Sequence, residues 1–275
     1  MRHSTRALTG LVAAGLALSA PSGATAQPLD KAAIEEFMLT AKVVASERIG
    51  KGVTNPWRLT LSDGAYSHDV KFQSVNDKRD RARLGRRTEL LFVDAYRYNI
   101  AAYQITELLG IDHMMPVTVE RAWNGDSGAM SWWVDNVMID ELGRQELKEG
   151  DENKWPKDIA RFYEQKSRML VFAALVYDTD RNKGNVLYDT DWKHWMIDFT
   201  RAFRLWDELL APETIPQCDR DLLERMRGLS RAQLEEHTEG HLTAGEISAV
   251  LKRRDLLVEH FETLIEQKGE RRVLY

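Results

Sequence analysis

The sequence predicts an α+β protein of two lobes, in which a small, mainly antiparallel sheet lobe is followed by a mainly helical lobe. Two patterns support this fold class. Between residues 40 and 138, short apolar runs alternate with turn signals, as in MMPVTVER and AMSWWV around NGDSG. From Pro156 onward, apolar residues recur mostly at helical spacing. With 275 residues and 43% hydrophobic content, we expect the two lobes to use nearly all of the chain.

The individual elements follow from the same local signals. A lead-in helix is predicted over residues 31–44, a strand around 57–61, an SDG turn at 62–64 and a strand ending in HDVKFQ. A long helix at about 88–109 should end at Gly110, since glycine is a common helix terminator. The second lobe should contain a helix with Pro156 in its first turn, a hairpin formed by 186–188 and 194–197, and a final helix over 248–267.

Residues 1–26 have the pattern of a secretory signal peptide. Arg2 and Arg6 precede the apolar stretch LTGLVAAGLALSA, and Ala24 and Ala26 form a small-x-small site before Gln27. The apolar stretch is too short to span a membrane as a helix. We therefore expect cleavage near Gln27 and an exported, periplasmic or secreted protein without a stable membrane span; an uncleaved anchor is the alternative.

The most informative segment is YDTDRNKGNVLYDTDWKHWMIDF, residues 177–199. Asp180, Asn185 and Asp198 have the order and spacing of a phosphoryl-transfer site, in which the first carboxylate accepts the acceptor hydroxyl proton and the other two side chains bind a metal ion. Oxygen ligands of this kind suit magnesium or manganese beside phosphate groups. The alternative is an ordinary turn, because Asp, Asn and Gly are the common turn residues.

A calcium loop is a more distant alternative for the same segment. Asp178, Asp180, Asn182 and Asp189 fall on EF-hand positions, which would make this a calcium-binding secreted protein. The glycine that such a loop requires is replaced by Lys183, and the residues after Asp189 alternate like a strand instead of forming the second helix.

A phosphoryl-transfer site also needs a strand lysine that binds the nucleotide phosphates. Lys71 lies between Val70 and Phe72, so on a pleated strand it should point away from these apolar neighbours. Gly50 and Gly52 precede it in a turn that we assign to the same ATP site, although two glycines alone are also common punctuation. An ordinary solvated lysine is the alternative for Lys71.

Taken together, the chain resembles the atypical protein-kinase-like fold shared by phosphatidylinositol 3/4-kinases, HipA-type kinases and secreted Fam20-type kinases. The resemblance covers residues 40–205, through GVTNPWRLTLSDG, HDVKFQS, residues 96–135, DTDRNKGN and MIDFTRAF, and within the group it is closest to uncharacterised exported bacterial members. It implies an N-lobe over 27–138 with the lysine strand and a following helix, and a C-lobe over 139–275 with the catalytic loop. It also implies that SWWVD leads into the adenine-contacting hinge.

The resemblance implies an ATP- and magnesium-dependent phosphotransferase with Lys71 as the phosphate-binding lysine, Asp180 as the catalytic residue, and Asn185 and Asp198 as metal ligands. The acceptor, whether protein, lipid or small molecule, stays open. Asn99 stands where such kinases carry the glutamate that pairs with the lysine, and an amide cannot form that ion pair. A pseudokinase that binds nucleotide or a protein partner without turnover is therefore the alternative.

The charge distribution gives no general reason to expect a nucleic-acid partner. The formal net charge is −5, which repels a polyanion on average. One basic run, KRDRARLGRR over 78–87, is predicted to be a solvated loop between the lysine strand and the next helix, with a phosphate or acidic-partner contact as its alternative.

Overall fold

The computed structural model describes residues 29–50, 55–84 and 87–275 of the chain. The predicted signal segment, residues 1–26, and Gly52 lie outside these ranges. The strands are β1 Lys42–Arg48, β2 Trp57–Ser62, β3 Ser67–Gln73, β4 Asn76–Leu84, β5 Arg87–Ala95, β6 Thr118–Trp123, β7 Asp126–Trp132, β8 Val137–Asp140, β9 Val186–Asp189 and β10 His194–Met196. The α-helices are α1 Lys31–Thr40, α2 Arg97–Leu108, α3 Glu141–Glu146, α4 Ile159–Leu175, α5 Arg220–Gly228, α6 Arg231–His237, α7 Ala244–Lys268 and α8 Glu270–Val273.

The smaller lobe is a five-stranded antiparallel sheet in the order β1-β2-β3-β7-β6. Helix α1 covers one face and packs its buried Phe37 and Met38 against Val70 and Phe72 of β3. Because side chains alternate along a strand, Lys71 projects from the other face, with 20% of its side chain exposed. This agrees with the orientation predicted from the sequence.

The lead-in helix is shorter than predicted. It ends at Thr40, and β1 begins at Lys42, so residues 42–44 are strand rather than helix. Val43 and Val44 are β-branched, which restricts them in a helix and suits them to the pleated surface of a sheet.

Residues 76–95 form a hairpin, which corrects two predictions. The basic run at 78–87 is not a loop: Lys78 and Leu84 pair with Val93 and Arg87 across β4 and β5. The helix predicted at 88–109 begins only at Arg97, because β5 occupies the preceding residues. Backbone pairing with β4 satisfies the donors and acceptors of this segment, and Leu91 has a φ of +51°, which is incompatible with a continuing α-helix.

Helix α2 joins the small sheet to the larger core. Tyr98, Ala101 and Ile105 are buried in it, and the helix ends before Gly110, whose φ of +69° agrees with the predicted glycine stop. The larger core also contains α4, the α5–α8 helices and the three-stranded sheet β10-β9-β8, whose β9–β10 hairpin matches the prediction. In the described ranges, no helix combines the length and apolar character required to cross a membrane.

Helix α4 leads directly into the segment that carries the predicted site. It begins at Ile159, with the Asp158 side chain accepting a hydrogen bond from the backbone N–H of Arg161. Pro156 therefore precedes the helix rather than occupying its first turn, because Asp158 supplies the N-cap. The buried residues Phe162, Met169 and Phe172 fix the helix against the core, so its C-terminal end at Leu175 is held in place.

Candidate functional site

The loop after α4 is held by its own polar side chains. The Asp180 backbone N–H donates to Asp178 Oδ1 at 3.0 Å, and the Gly184 N–H donates to Asn182 Oδ1 at 2.8 Å. Asn185 Nδ2 donates to the Asp180 carbonyl oxygen at 3.0 Å, so the amide oxygen of Asn185 is left to accept or to bind a cation. Asp180 and Asn185, the predicted catalytic residue and metal ligand, are therefore directly linked.

Arg181 fixes this loop to the segment that carries Asp198. Its guanidinium donates to the carbonyl oxygens of Asn185 and Ile197, both at 2.8 Å, and to that of Asp198 at 3.1 Å. It also forms an ion pair with Asp178 at 2.6 Å, in which both side chains are buried. Arg181 thus sets the position of Asn185 relative to Asp198, a role that sequence reasoning missed.

Asp198 meets Lys71 where the two lobes face each other. Lys71 Nζ lies 3.3 Å from Asp198 Oδ2, and the Thr200 hydroxyl donates to Asp198 Oδ1 at 3.1 Å. Burial favours a higher pKa for Asp198, but the charge of Lys71 and these hydrogen bonds outweigh it and hold that pKa below its ordinary value. The Asp198 carboxylate is therefore ionised. The backbone of Asp198 has a φ of +60°.

Asn99 does not pair with Lys71. Its Oδ1 accepts a hydrogen bond from the Phe199 N–H at 2.7 Å, and its Nδ2 donates to Gln73 Oε1 at 3.2 Å. Asn99 therefore ties α2 to the end of β3 and to the residue after Asp198. The lysine has Asp198 as its ionic partner instead of a helix glutamate.

A second ionic cluster lies on the other side of Asp180. Arg201 bridges Asp180 and Glu89 of β5, at 3.1 Å and 3.3 Å, and Arg204 forms a further ion pair with Glu89. Arg204 also donates to the Val93 carbonyl at 2.9 Å. The β4–β5 hairpin thus holds the chain that follows Asp198. Neither Glu89 nor Arg201 was identified from the sequence, because Glu89 lies more than 100 residues from both Arg201 and Arg204 along the chain.

Asp94 lies beside the same cluster, on β5 and not on the helix that the sequence predicted over 88–109. It is buried, and its Oδ1 has no hydrogen-bond partner. Burial raises the pKa of Asp94 and the charges of Asp198 and Asp180 add to the rise, against a hydrogen bond with Thr200. The three carboxylates are therefore close enough to influence one another electrostatically.

The oxygen atoms of this site suit a hard divalent cation. The ionised Asp198 carboxylate and the free amide oxygen of Asn185 are the two donors that the sequence predicted, and magnesium or manganese prefers such ligands. No cluster of three or more His, Cys, Asp or Glu side chains suitable for a metal occurs in the part of the chain that the structure describes. Strand β9 follows the loop directly, so the segment lacks the second helix of an EF-hand.

Two features that the sequence analysis assigned to nucleotide binding stay predictions. Gly50 follows β1 in the connection to β2, with open space around the position of a side chain, and its partner Gly52 is outside the described residues. The SWWVD segment ends β7 and leads toward β8, and the Trp132 ring stacks on His68 with centroids 3.6 Å apart. The Trp133 N–H donates to the Asp69 carbonyl at 3.0 Å, which fixes this link to the small sheet.

Solved structures with similar folds come from kinases. The structure of hydra Fam20 with sugar aligns over 89% of this chain and 91% of its own length, with a TM-score of 0.67 and 14% identity. The Golgi casein kinase with Mn/ADP bound aligns over 89% of this chain and 78% of its own, with a TM-score of 0.63 and 12% identity.

A third similar structure is the Helicobacter pylori proinflammatory kinase CtkA, which covers 84% of this chain and 98% of its own length, with a TM-score of 0.52 and 11% identity. No protein-family model matches the sequence, and a search of curated proteins finds no match. At these identities the comparisons establish the fold and nothing finer. The chain has the atypical protein-kinase-like fold, as its sequence predicted.

Proposed function

We propose that this protein is an ATP- and magnesium-dependent phosphotransferase, with manganese as an alternative metal. One observation carries the proposal: a strand lysine from the sheet lobe reaches Asp198 at 3.3 Å, while Asn185 is hydrogen-bonded to the Asp180 backbone. The groups required to bind phosphates, a cation and an acceptor hydroxyl thus converge between the lobes, in the order that phosphoryl transfer requires.

Each side chain has a defined role in this proposal. Lys71 binds the nucleotide phosphates, and Asp198 and Asn185 hold the cation, which when bound neutralises charge on the phosphates. Asp180 orients the acceptor hydroxyl and accepts its proton. Gly50 and Gly52 are assigned to the same phosphate-binding role. Arg181 keeps the Asn185 and Asp198 backbones at a fixed separation, so the site is preorganised.

The wider setting is part of the same proposal. The signal pattern over residues 1–26 supports export to the periplasm or the exterior. The Golgi casein kinase structure contains Mn/ADP, which supports a metal–nucleotide ligand for a fold of this kind. We place the lobe boundary near residue 138, and we expect the acceptor to be a protein, lipid or small molecule rather than a nucleic acid.

Metal-dependent nucleotide binding tests the proposal directly. ADP or ATP at about 100 times its dissociation constant should stabilise the protein from Gln27 by about 2.7 kcal/mol in a thermal shift with magnesium or manganese. Asp198→Ala should abolish that shift, whereas Asp191→Ala removes a carboxylate from an exposed turn and should keep it. Nucleotide binding that survives Asp198→Ala unchanged would refute the assigned metal site.

A pseudokinase is the second candidate, and Asn99 favours it. Lys71 lacks the helix glutamate that would hold it while Asp198 binds a cation, because Asn99 is engaged by Gln73 and Phe199. The two candidates separate in an ADP-release assay with ATP. An active enzyme should release ADP, lose that turnover in Asp180→Ala and retain nucleotide binding, whereas a pseudokinase should bind ATP equally in both proteins without release of ADP.

A further inference from the structure

A cleft of about 460 Å³ opens at Asp180. Its lining combines apolar and charged residues, among them Leu170, Trp206, Ile215, Asp178, Asp180 and Arg181. Lys71, Asn185 and Asp198 do not line it. The cleft therefore meets the site at the proposed catalytic carboxylate and lies apart from the groups assigned to nucleotide and metal. Its volume falls in the range of small-molecule sites.

The walls of the cleft are mainly apolar. Leu170, Ala173 and Ile215 belong to its lining, and the lining residues Trp206 and Leu210 are each 38% exposed. Exposed side chains of this size next to a concave apolar surface favour a ligand with an apolar body. A small ligand seated there would exclude water from both surfaces.

The charged groups in the lining already have partners within the protein. Asp178 pairs with Arg181, and Glu89 pairs with Arg201 and Arg204. Among the described lining residues, Arg181 is the only cation, and its guanidinium is engaged by Asp178 and three carbonyl oxygens. An anionic ligand would therefore meet carboxylates and apolar groups without a cation to receive it, at an unfavourable desolvation cost.

The Asp180 carboxylate is the polar group that a ligand can reach. Its side chain is 37% exposed, although Arg201 holds one of its oxygens at 3.1 Å. Asn182 Nδ2 lies 3.3 Å from the other oxygen, on the exposed side of the loop. A hydroxyl placed next to Asp180 can therefore donate to its carboxylate while the rest of the molecule occupies the apolar part of the cleft.

We propose that this cleft binds the acceptor, and that the acceptor is a small, uncharged molecule with a hydroxyl group on an apolar body. Its use as an acceptor rests on the proposed function. In the transfer, the hydroxyl oxygen forms a bond to the γ-phosphorus of ATP as the bond from that phosphorus to the bridging oxygen breaks. ADP leaves with the bonding electron pair, and the hydroxyl proton passes to Asp180.

Three matched aryl alcohols test the charge preference. They are para-hydroxymethyl benzamide, which is neutral, para-hydroxymethyl benzoate, which is an anion, and para-aminomethyl benzyl alcohol, which is a cation. Binding to the protein from Gln27 is measured by ligand-observed NMR titration without nucleotide. The neutral compound should bind at least about tenfold more tightly than the benzoate, a difference that corresponds to one charged group left without a partner. Binding of the benzoate or of the cationic compound that equals or exceeds binding of the benzamide would overturn the proposal.

Substitutions at exposed lining residues test whether the benzamide binds in this cleft. Thr214 is an exposed lining residue, so Thr214→Trp should fill the opening and weaken benzamide binding about tenfold or more. Glu213→Trp places the same ring on the neighbouring exposed residue outside the lining and should leave binding unchanged. Leu210→Trp is a second filling variant in case the first is unstable. Unchanged binding in a folded filling variant, or no binding of the benzamide to the original protein, would refute the assignment.

The same samples separate this proposal from the function on which it rests. Asp198→Ala should remove the metal-dependent nucleotide shift and retain benzamide binding. If the protein binds no nucleotide but binds the benzamide as predicted, the phosphotransferase proposal is wrong and the cleft remains a binding site. Nucleotide binding without benzamide binding would end the acceptor proposal alone.

Discussion

Two ionic clusters flank the candidate site but are built differently. Lys71 and Asp198 form a single contact of 3.3 Å between the lobes, and both side chains keep 20% or more of their surface exposed. Glu89, Arg201, Arg204 and Asp180 form a connected network in which Arg204 is almost fully buried. A single, partly exposed pair can exchange its partner for a ligand, whereas breaking a buried network leaves charges without partners. We therefore propose that the first cluster serves binding and the second serves structure.

Removing the charge of Glu89 should produce the largest effect on stability. Glu89→Gln keeps the size of the side chain but leaves Arg201 and Arg204 without their shared carboxylate, and we expect a loss of about 3 kcal/mol in the free energy of unfolding. Urea denaturation measures it. Nucleotide affinity should stay unchanged, since Glu89 does not contact Lys71 or Asp198.

Glu47→Gln is the matched control for that experiment. Glu47 is 66% exposed and pairs with Arg58 at 3.5 Å, so its loss should cost less than about 1 kcal/mol. If both variants lose the same stability, or if Glu89→Gln weakens nucleotide binding, the distinction between the clusters is wrong.

Replacing Lys71 should weaken nucleotide binding and leave stability nearly unchanged, which is the opposite of the result expected for Glu89→Gln. Lys71→Met keeps the apolar part of the side chain, and we expect nucleotide affinity to fall about 100-fold, or about 2.7 kcal/mol. The free energy of unfolding should change by less than about 1 kcal/mol, because the pair with Asp198 is partly exposed. Lys42→Met, on the exposed strand β1, is the control. A folded Lys71→Met protein with full nucleotide affinity would contradict the assigned role.

The candidate site was predictable to the extent that its signals are local. Asp180, Asn185 and Asp198 lie within 19 residues of one another, between a periodic helix and a short hairpin, so their order and context are visible in the sequence. The orientation of Lys71 followed from strand alternation alone. These inferences needed no information about which distant segments meet.

The second cluster could not be predicted, because its signals are not local in the sequence. RTELLFVDAYRY contains many good helix formers, and only pairing with β4 makes its first part a strand. That error hid Glu89 and moved Asp94 onto a helix. The contacts of Arg201 and Arg204 with β5 span more than 100 residues, and local patterns contain no information about such pairings.

The buried core contains a histidine, His194, that should make the free energy of unfolding depend on pH. His194 is fully buried between the rings of Phe162 and Tyr188, and its ring nitrogens have no hydrogen-bond partners. Burial lowers the pKa of His194 from 6.5 to about 3. The unfolded chain therefore binds a proton more readily, so stability is complete above pH 6.5 and falls as the pH drops toward 3.

The expected loss between pH 7 and pH 5 from this group is about 2 kcal/mol in the free energy of unfolding. His194→Phe should remove that part of the pH dependence, and His237→Phe, at a partly exposed position, should retain it. Urea denaturation at the two pH values measures the difference. An unchanged pH dependence in His194→Phe would assign the acid sensitivity to the carboxylate clusters instead.

The smallest effect on the free energy of unfolding is expected at Asn99, which is uncharged. Asn99→Asp keeps the acceptor for the Phe199 N–H but loses the donor to Gln73 and buries a carboxyl group, so we expect a loss of about 1 kcal/mol at pH 7. Because burial raises the pKa of the introduced carboxyl, the loss should diminish as the pH falls and the group is protonated. Asn153→Asp, in an exposed turn, is the control. A more stable Asn99→Asp protein at pH 7 would indicate that the carboxylate pairs with Lys71, and that the missing helix acid can be restored at this position.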